Sequence, residues 1–259
     1  MKLRVRCELV YRFDPPTDAI YQIEVAHWPG QEILEESLIT TPSVRFHEDK
    51  DAEFGARTLR AHLEGEVSLV YEAVVENGVL QGLPPGVSQH DWNDLPAETL
   101  PYLLPSRYCP SDQFDRFVQR EFGETSGGER VLAILNWIRE HVDYEHGVSN
   151  SETTAARTFI DRAGVCRDFT HLGITLCRAS GIPARAVSAY AHQLQPPDFH
   201  AIFEVYLDNG WWLVDPTDLA PIEGLVRIAC GRDAADIAFL STQGTCEMIS
   251  QSITAEAIE

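Results

Sequence analysis

The chain has 259 residues, 44% of them hydrophobic and 23% charged, the balance of a globular protein of one or two domains. Forty acidic residues against 20 basic ones give a net charge of −20, a field that repels nucleic acid and anionic membrane surfaces, so neither is expected as a partner. No run approaches the roughly eighteen apolar residues of a transmembrane helix.

Met1-Lys2-Leu3-Arg4-Val5-Arg6 alternates and has no apolar stretch of the signal-peptide kind. With no export signal and no cysteine pairing pattern, a cytoplasmic location is expected. Leu3, Val5, Cys7 and Leu9 alternate with polar residues, which predicts a strand. Further strand-like runs fall near 19–27, 32–40, 57–63 and 67–75. Pro15-Pro16, Pro29-Gly30 and Asn77-Gly78 read as the turns between them. An N-terminal antiparallel β-sandwich is predicted. Pro84, Pro85, Pro96, Pro101, Pro105 and Pro110 then mark a proline-rich connector, either an exposed boundary or an ordered arm.

Helices follow. Ser111-Asp112 can cap one that carries Phe114, Phe117 and Val118 and stops at Gly123. A second is predicted over 128–142, with Val131, Leu132, Leu135, Ile138 and Val142 on one face. A third is predicted over 153–163, and a fourth from Val165 to Gly181-Ile182-Pro183. Strands are expected over 184–190, 200–207 and 211–215, the last two joined by the turn Asp208-Asn209-Gly210. If Asn209-Gly210 is a two-residue turn, Asp215 faces Glu204 and His200 faces Leu219. His200 and Glu204 then lie about 13 Å apart along their strand. That register keeps Asp215 away from His200, and a bulge or a different turn is needed to join them. The tail, 234–259, carries Ile237, Phe239 and Leu240 and is expected to pack back on the β-rich region.

The six cysteines form no Cys-x-x-Cys pair and no zinc-type cluster, so no metal is expected. Cys7 reads as a strand residue. Cys177 lies three helical turns after Cys166 and reads as core. Gly164-Val165-Cys166-Arg167-Asp168-Phe169 puts Cys166 where a loop becomes a helix. Free backbone N–H groups and the helix dipole favour a thiolate there and could hold an oxyanion. Downstream come His200, in Asp198-Phe199-His200-Ala201, and Asp215, in Trp212-Leu213-Val214-Asp215-Pro216-Thr217. A thiolate attacks a carbonyl, an imidazole moves the proton, and a carboxylate orients the imidazole. The plainer readings are a packed cysteine, a strand-end histidine and an Asp-Pro turn, with Glu204 a rival carboxylate. His141 reads as a surface or C-terminal helix charge rather than a ligand; His171 and His192 could line the cleft, with a hydrogen-bonded structural role favoured for each.

Together, and in this order, these motifs resemble the bacterial transglutaminase-like superfamily. The 51–55 stretch, Asp51-Ala52-Glu53-Phe54-Gly55, is similar to the β-rich domain that precedes the core in some members. The resemblance implies a papain-like core with Cys166 as nucleophile, His200 as general base and Asp215 as orienting acid. One departure is Ile202, where members often carry tryptophan two residues after the histidine. The expected fold is α+β: residues 1–105 a β-rich domain with its connector, residues 106–259 a transglutaminase-like thiol catalytic domain. The expected function is thiol-dependent acyl transfer on amide bonds of a peptide, protein or small amide. Hydrolysis of the peptidase or amidase type is favoured over protein-glutamine transamidation, because water is always at hand. An acetyltransferase-like enzyme and a non-catalytic binding module on the same scaffold are the alternatives. No cofactor is expected, and no EF-hand-type loop implies calcium.

Overall fold

The structure, a computed structural model, describes residues 1–51, 54–80 and 82–258. Ala52 and Glu53 of the 51–55 motif lie outside the described residues. In chain order the elements are β1 (Lys2–Tyr21), β2 (Gln31–Thr41), β3 (His47–Lys50), β4 (Arg57–Asn77), α1 (Asp115–Phe122), α2 (Gly127–His141), β5 (Asp143–Tyr144), α3 (Ala155–Asp161), β6 (Ala163–Gly164) and α4 (Cys166–Ala179). The second sheet and the tail add β7 (Ala184–Ala191), β8 (Phe199–Leu207), β9 (Gly210–Val214), β10 (Leu225–Gly231), β11 (Leu240–Thr242) and β12 (Glu247–Ala257). The class is α+β, as expected. Among the described residues no helix is long and apolar enough to cross a membrane.

The alternation at the start of the chain gives β1 one dry face: Leu3, Val5, Cys7 and Leu9 are almost fully buried. Each such aliphatic side chain contributes ~1.5–3 kcal/mol by leaving water. β1 and β4 pair antiparallel along nearly their whole length. On one side of a register break between Phe13 and Thr17, β12 and β2 flank this pair; on the other side, β11 and β3 do. Hydrogen bonding therefore joins the two halves of the expected sandwich into one sheet of six strands among the described residues. The turn expected at Pro15-Pro16 does not form. The chain runs straight through as one strand, and the prolines sit in the register break, where no ladder hydrogen bond is required of them.

The second sheet has the order β10-β7-β8-β9 and is antiparallel throughout. β7 and β10 are buried at every position. On one face α4 packs across β8 and β7. On the other, Trp28, Phe54 and Leu194 cover Val187, Ile202 and Leu213. α4 is buried on all sides from Asp168 to Arg178, which makes it the central helix. Gly173 permits the contact, since a Cβ there would stand 2.5 Å from the Phe203 ring.

The connector at 82–110 is an ordered arm. It forms short 3-10 turns at Trp92–Asp94 and Ala97–Tyr102 and buries Thr99, Tyr102, Leu103, Tyr108 and Cys109. Arg178, buried on α4, donates to the Leu104 carbonyl at 3.0 Å and to Ser106 Oγ at 2.9 Å. The dry face of the first sheet shares one continuous core with α2, α4 and the second sheet. Tyr190 ties them further, its hydroxyl donating to the Ile23 carbonyl at 2.6 Å.

Candidate active site

Cys166 is the first residue of α4 and is half-buried. β5 and β6 pair in parallel, Tyr144 beside Gly164, and deliver the chain extended to Val165. Asp168, fully buried, locks this start: its Oδ2 accepts the Val165 N–H at 2.9 Å, and its Oδ1 accepts from Arg167 Nη2 at 2.9 Å. A side chain on residue 164 would break the lock, since a Cβ on Gly164 would stand 2.7 Å from Asp168 Cβ. The motif thus fixes the first turn of α4, with Cys166 at the end where free N–H groups favour an anion.

His200 lies on β8 and Asp215 directly after β9. The hairpin between the strands turns at Asp208-Asn209, both at positive φ (48° and 62°), and pairs Leu207 with Gly210. This is the left-handed geometry of a type I′ turn, which Asp and Asn tolerate. Leu213 therefore faces Glu204 and Val214 faces Phe203. Continuing the register brings Asp215 opposite Ile202, one step along the face from His200. The expectation that Asp215 faces Glu204 is corrected: the turn is one residue earlier. Asp215 Oδ2 accepts from His200 Nε2 at 2.7 Å, both groups being buried.

Asp215 is held from several directions. The Thr217 N–H and hydroxyl donate to its Oδ1 at 2.8 and 2.7 Å. Arg139, on α2, donates to the Asp215 carbonyl at 2.6 Å and to the Pro216 carbonyl at 3.2 Å. Burial pulls the His200 pKa down, but the bond to Asp215 and the Cys166 thiol outweigh it and raise it from 6.5 to about 10. Burial likewise pushes the Asp215 carboxyl up, but His200 and Thr217 hold it below its ordinary value. His200 Nδ1 is buried and makes no hydrogen bond among the described residues. The arrangement can hold a thiolate beside an imidazolium, with the carboxylate behind.

The rivals are occupied elsewhere. Glu204 is buried between Arg185, which donates to its Oε2 at 2.8 Å, and Arg227, which donates to Oε1. Arg185 in turn lies over Trp211, 3.9 Å from the ring centre. Cys7, Cys109 and Cys177 are buried, and burial pushes the Cys7 and Cys109 thiols up to about 12. His141 donates to the Trp137 carbonyl at 2.8 Å, and His192 Nδ1 lies 3.0 Å from the Ala255 carbonyl. His171 is buried against Tyr108, ring centres 4.9 Å apart. Among the described residues no group of three or more His, Cys, Asp or Glu is placed to hold a metal ion.

Residues 116–216, which span all three side chains, match the transglutaminase-like superfamily, and residues 1–81 match the N-terminal domain of bacterial transglutaminases. A candidate cysteine protease from Cytophaga hutchinsonii, solved by crystallography, is 40% identical. The similarity covers 100% of this chain and 91% of that one, with a TM-score of 0.93. The chain belongs to the transglutaminase-like superfamily. An uncharacterised protein of Mycobacterium leprae is 28% identical over 218 residues, 78% of this chain and 76% of its own length.

For a transglutaminase-like chain, Ile202 has an ordinary place: fully buried, it packs with Val187 and Leu213 in the second sheet. Sequence reasoning missed Arg139, Thr217 and Tyr144. Thr217 carried a local signal, because a hydroxyl two residues after an aspartate commonly folds back on it. Tyr144 carried none. Its phenol interacts with Cys166 across the β5–β6 pair, and burial followed by the neighbouring thiol pushes its pKa above the ordinary value.

Proposed function

We propose that this chain is a thiol-dependent acyl-transfer enzyme that hydrolyses amide bonds in peptides or small amides. The observation that carries the reading is the buried 2.7 Å contact between Asp215 and His200, with the Cys166 side chain also acting on the His200 ring. In this reading the Cys166 thiolate attacks the amide carbonyl, and the N–H groups at the start of α4 stabilise the oxyanion. His200 gives its proton to the departing amine. It then takes a proton from water, which opens the thioester and releases the acid. Asp215 keeps the imidazole oriented and stabilises its charged form. The similarity to a candidate cysteine protease supports the hydrolytic direction.

The test is incubation with a panel of peptides, glutamine-containing peptides and small amides, reading amine and ammonia release and any incorporated amine. Release without incorporation, abolished in Cys166→Ala, supports hydrolysis. Incorporation of added amine assigns the chain to transamidation instead. Activity that survives Cys166→Ala removes Cys166 from the mechanism.

A further inference from the structure

A cavity of about 380 Å³ opens beside Cys166, within the size range of small-molecule sites. Both halves of the molecule build it. The first sheet supplies Leu9, Tyr11 and Gln251; the segment after β10 supplies Ile237 and Phe239. Phe239 stacks on Phe199 with ring centres 3.8 Å apart, so much of the wall is apolar and aromatic. Neither His200 nor Asp215 lines the cavity, although Phe199 and Ala201, the neighbours of His200, do. Strand alternation sends those two side chains to the face of β8 opposite His200. The leaving amine must stand on the His200 side to receive its proton. The cavity therefore lies on the side of Cys166 where the acyl group remains.

Two of its lining residues carry buried polar atoms without a partner among the described residues: His171 Nδ1 and Ser188 Oγ. The Ala234 N–H donates to His171 Nε2 at 3.1 Å, so that nitrogen carries no proton and Nδ1 bears the ring's N–H. Buried polar groups are normally satisfied, so an N–H donor and a hydroxyl able to donate, both without partners around one cavity beside a nucleophile, point to a missing acceptor. Arg167 also lines the space, but its guanidinium is engaged by Asp168 and the Asn150 carbonyl. Burial keeps His171 neutral, its pKa pushed down to about 4. No free cation is thus offered among these groups, which favours an uncharged acceptor.

We propose that this cavity is the acyl-group pocket, taking an apolar, aromatic-sized acyl chain that ends in a neutral oxygen acceptor bound by the His171 Nδ1–H and the Ser188 hydroxyl. The proposal rests on Cys166 being the nucleophile and adds the class of acyl group.

The test uses p-nitrophenyl esters of acetic, 3-phenylpropionic and 3-(4-acetylphenyl)propionic acids. Cys166 Sγ bonds to the ester carbonyl carbon, the carbon–oxygen bond to the nitrophenyl group breaks, and p-nitrophenolate leaves with the electron pair. Its absorbance gives the rate, intact mass gives the adduct, and glutathione corrects for intrinsic ester reactivity. The acetylphenyl ester is expected to acylate Cys166 at least ~10-fold faster than the acetyl ester and several-fold faster than the phenyl ester. Ala238→Phe fills the cavity and removes the preference for both longer esters. Ser188→Ala, a milder change, removes only the advantage of the ketone. Equal corrected rates with all three esters, each acylating Cys166, overturn the pocket and leave the nucleophile standing. So does failure of the longer esters while iodoacetamide still alkylates Cys166. If neither esters nor iodoacetamide modify Cys166, the nucleophile reading falls and the pocket falls with it.

Discussion

Asp215 Oδ2 lies 2.7 Å from His200 Nε2 because the hairpin turns at Asp208-Asn209 rather than one residue later. The substitution Asp215→Ala is therefore expected to lower turnover on any amide substrate by ~10³-fold or more, with little change in far-ultraviolet circular dichroism. A loss of less than about tenfold would remove Asp215 from the mechanism.

Glu204, the other carboxylate on that face, has a different task. Its single negative charge is shared between Arg185 and Arg227 inside the protein. Removing one partner of a buried ion pair leaves uncompensated charge and costs ~3–5 kcal/mol. Urea unfolding of Glu204→Gln should show a loss of that size. The fraction still folded should keep the parent's pH profile, because no bond joins Glu204 to His200.

The pH dependence follows from His200. Its folded pKa, about 10, exceeds its ordinary 6.5, so its contribution to stability is complete below about 6.5 and is lost as pH rises through about 10. Asp215 works in the opposite sense: its contribution is present above the ordinary 3.8 and fades as pH falls through its lower folded value. The alkaline limb of kcat/KM is expected at about pH 10, where the imidazolium loses its proton. The stability difference between the parent and His200→Gln should shrink over the same interval. An alkaline limb near 6.5 would mean that the ring is not held charged.

Iodoacetamide at neutral pH should alkylate Cys166 first. Cys7, Cys109 and Cys177 are buried, with thiols pushed up by that burial. Cys246 is half-buried and also raised, so it should follow more slowly. Peptide mapping at partial labelling decides the order, and faster labelling of Cys246 would count against a special environment at Cys166.

β12 pairs with β1 from Leu3 to Arg12, and Gln251 on β12 walls the cavity beside Cys166. A chain ending at Thr242 should lose more than about 3 kcal/mol of stability, beyond the usual range of a point substitution. It should also acylate more slowly. In the intact chain, limited proteolysis should spare 82–110, because that arm is hydrogen-bonded to α4. Preferential cutting there would show that the arm opens in solution.

Much of this was legible in one dimension. The alternation of Leu3, Val5, Cys7 and Leu9 gave the first strand, and the apolar stripe from Val131 to Ile138 gave α2. Gly164-Val165-Cys166 placed the thiol at a helix start, a local feature that neighbouring residues determine alone. The spacing of prolines announced a connector but not its packing, because burial of Tyr108 and Cys109 depends on α4, far along the chain. Pro15-Pro16 looked like a turn, yet a long strand absorbs them where β4 pairs on either side of a register break.

The meeting of His200 and Asp215 was decided only in three dimensions. Turning at Asp208-Asn209 or at Asn209-Gly210 changes the pairing by two residues, and a strand's side chains repeat every two. Both registers bury the same faces, so the hydrophobic pattern cannot choose between them. The sequence determined which residue types are present and on which face they lie. The packing of β9 and the loop after it, pinned by Arg139 from α2 and by Thr217, decided that Asp215 reaches the histidine while Glu204 is held by two arginines.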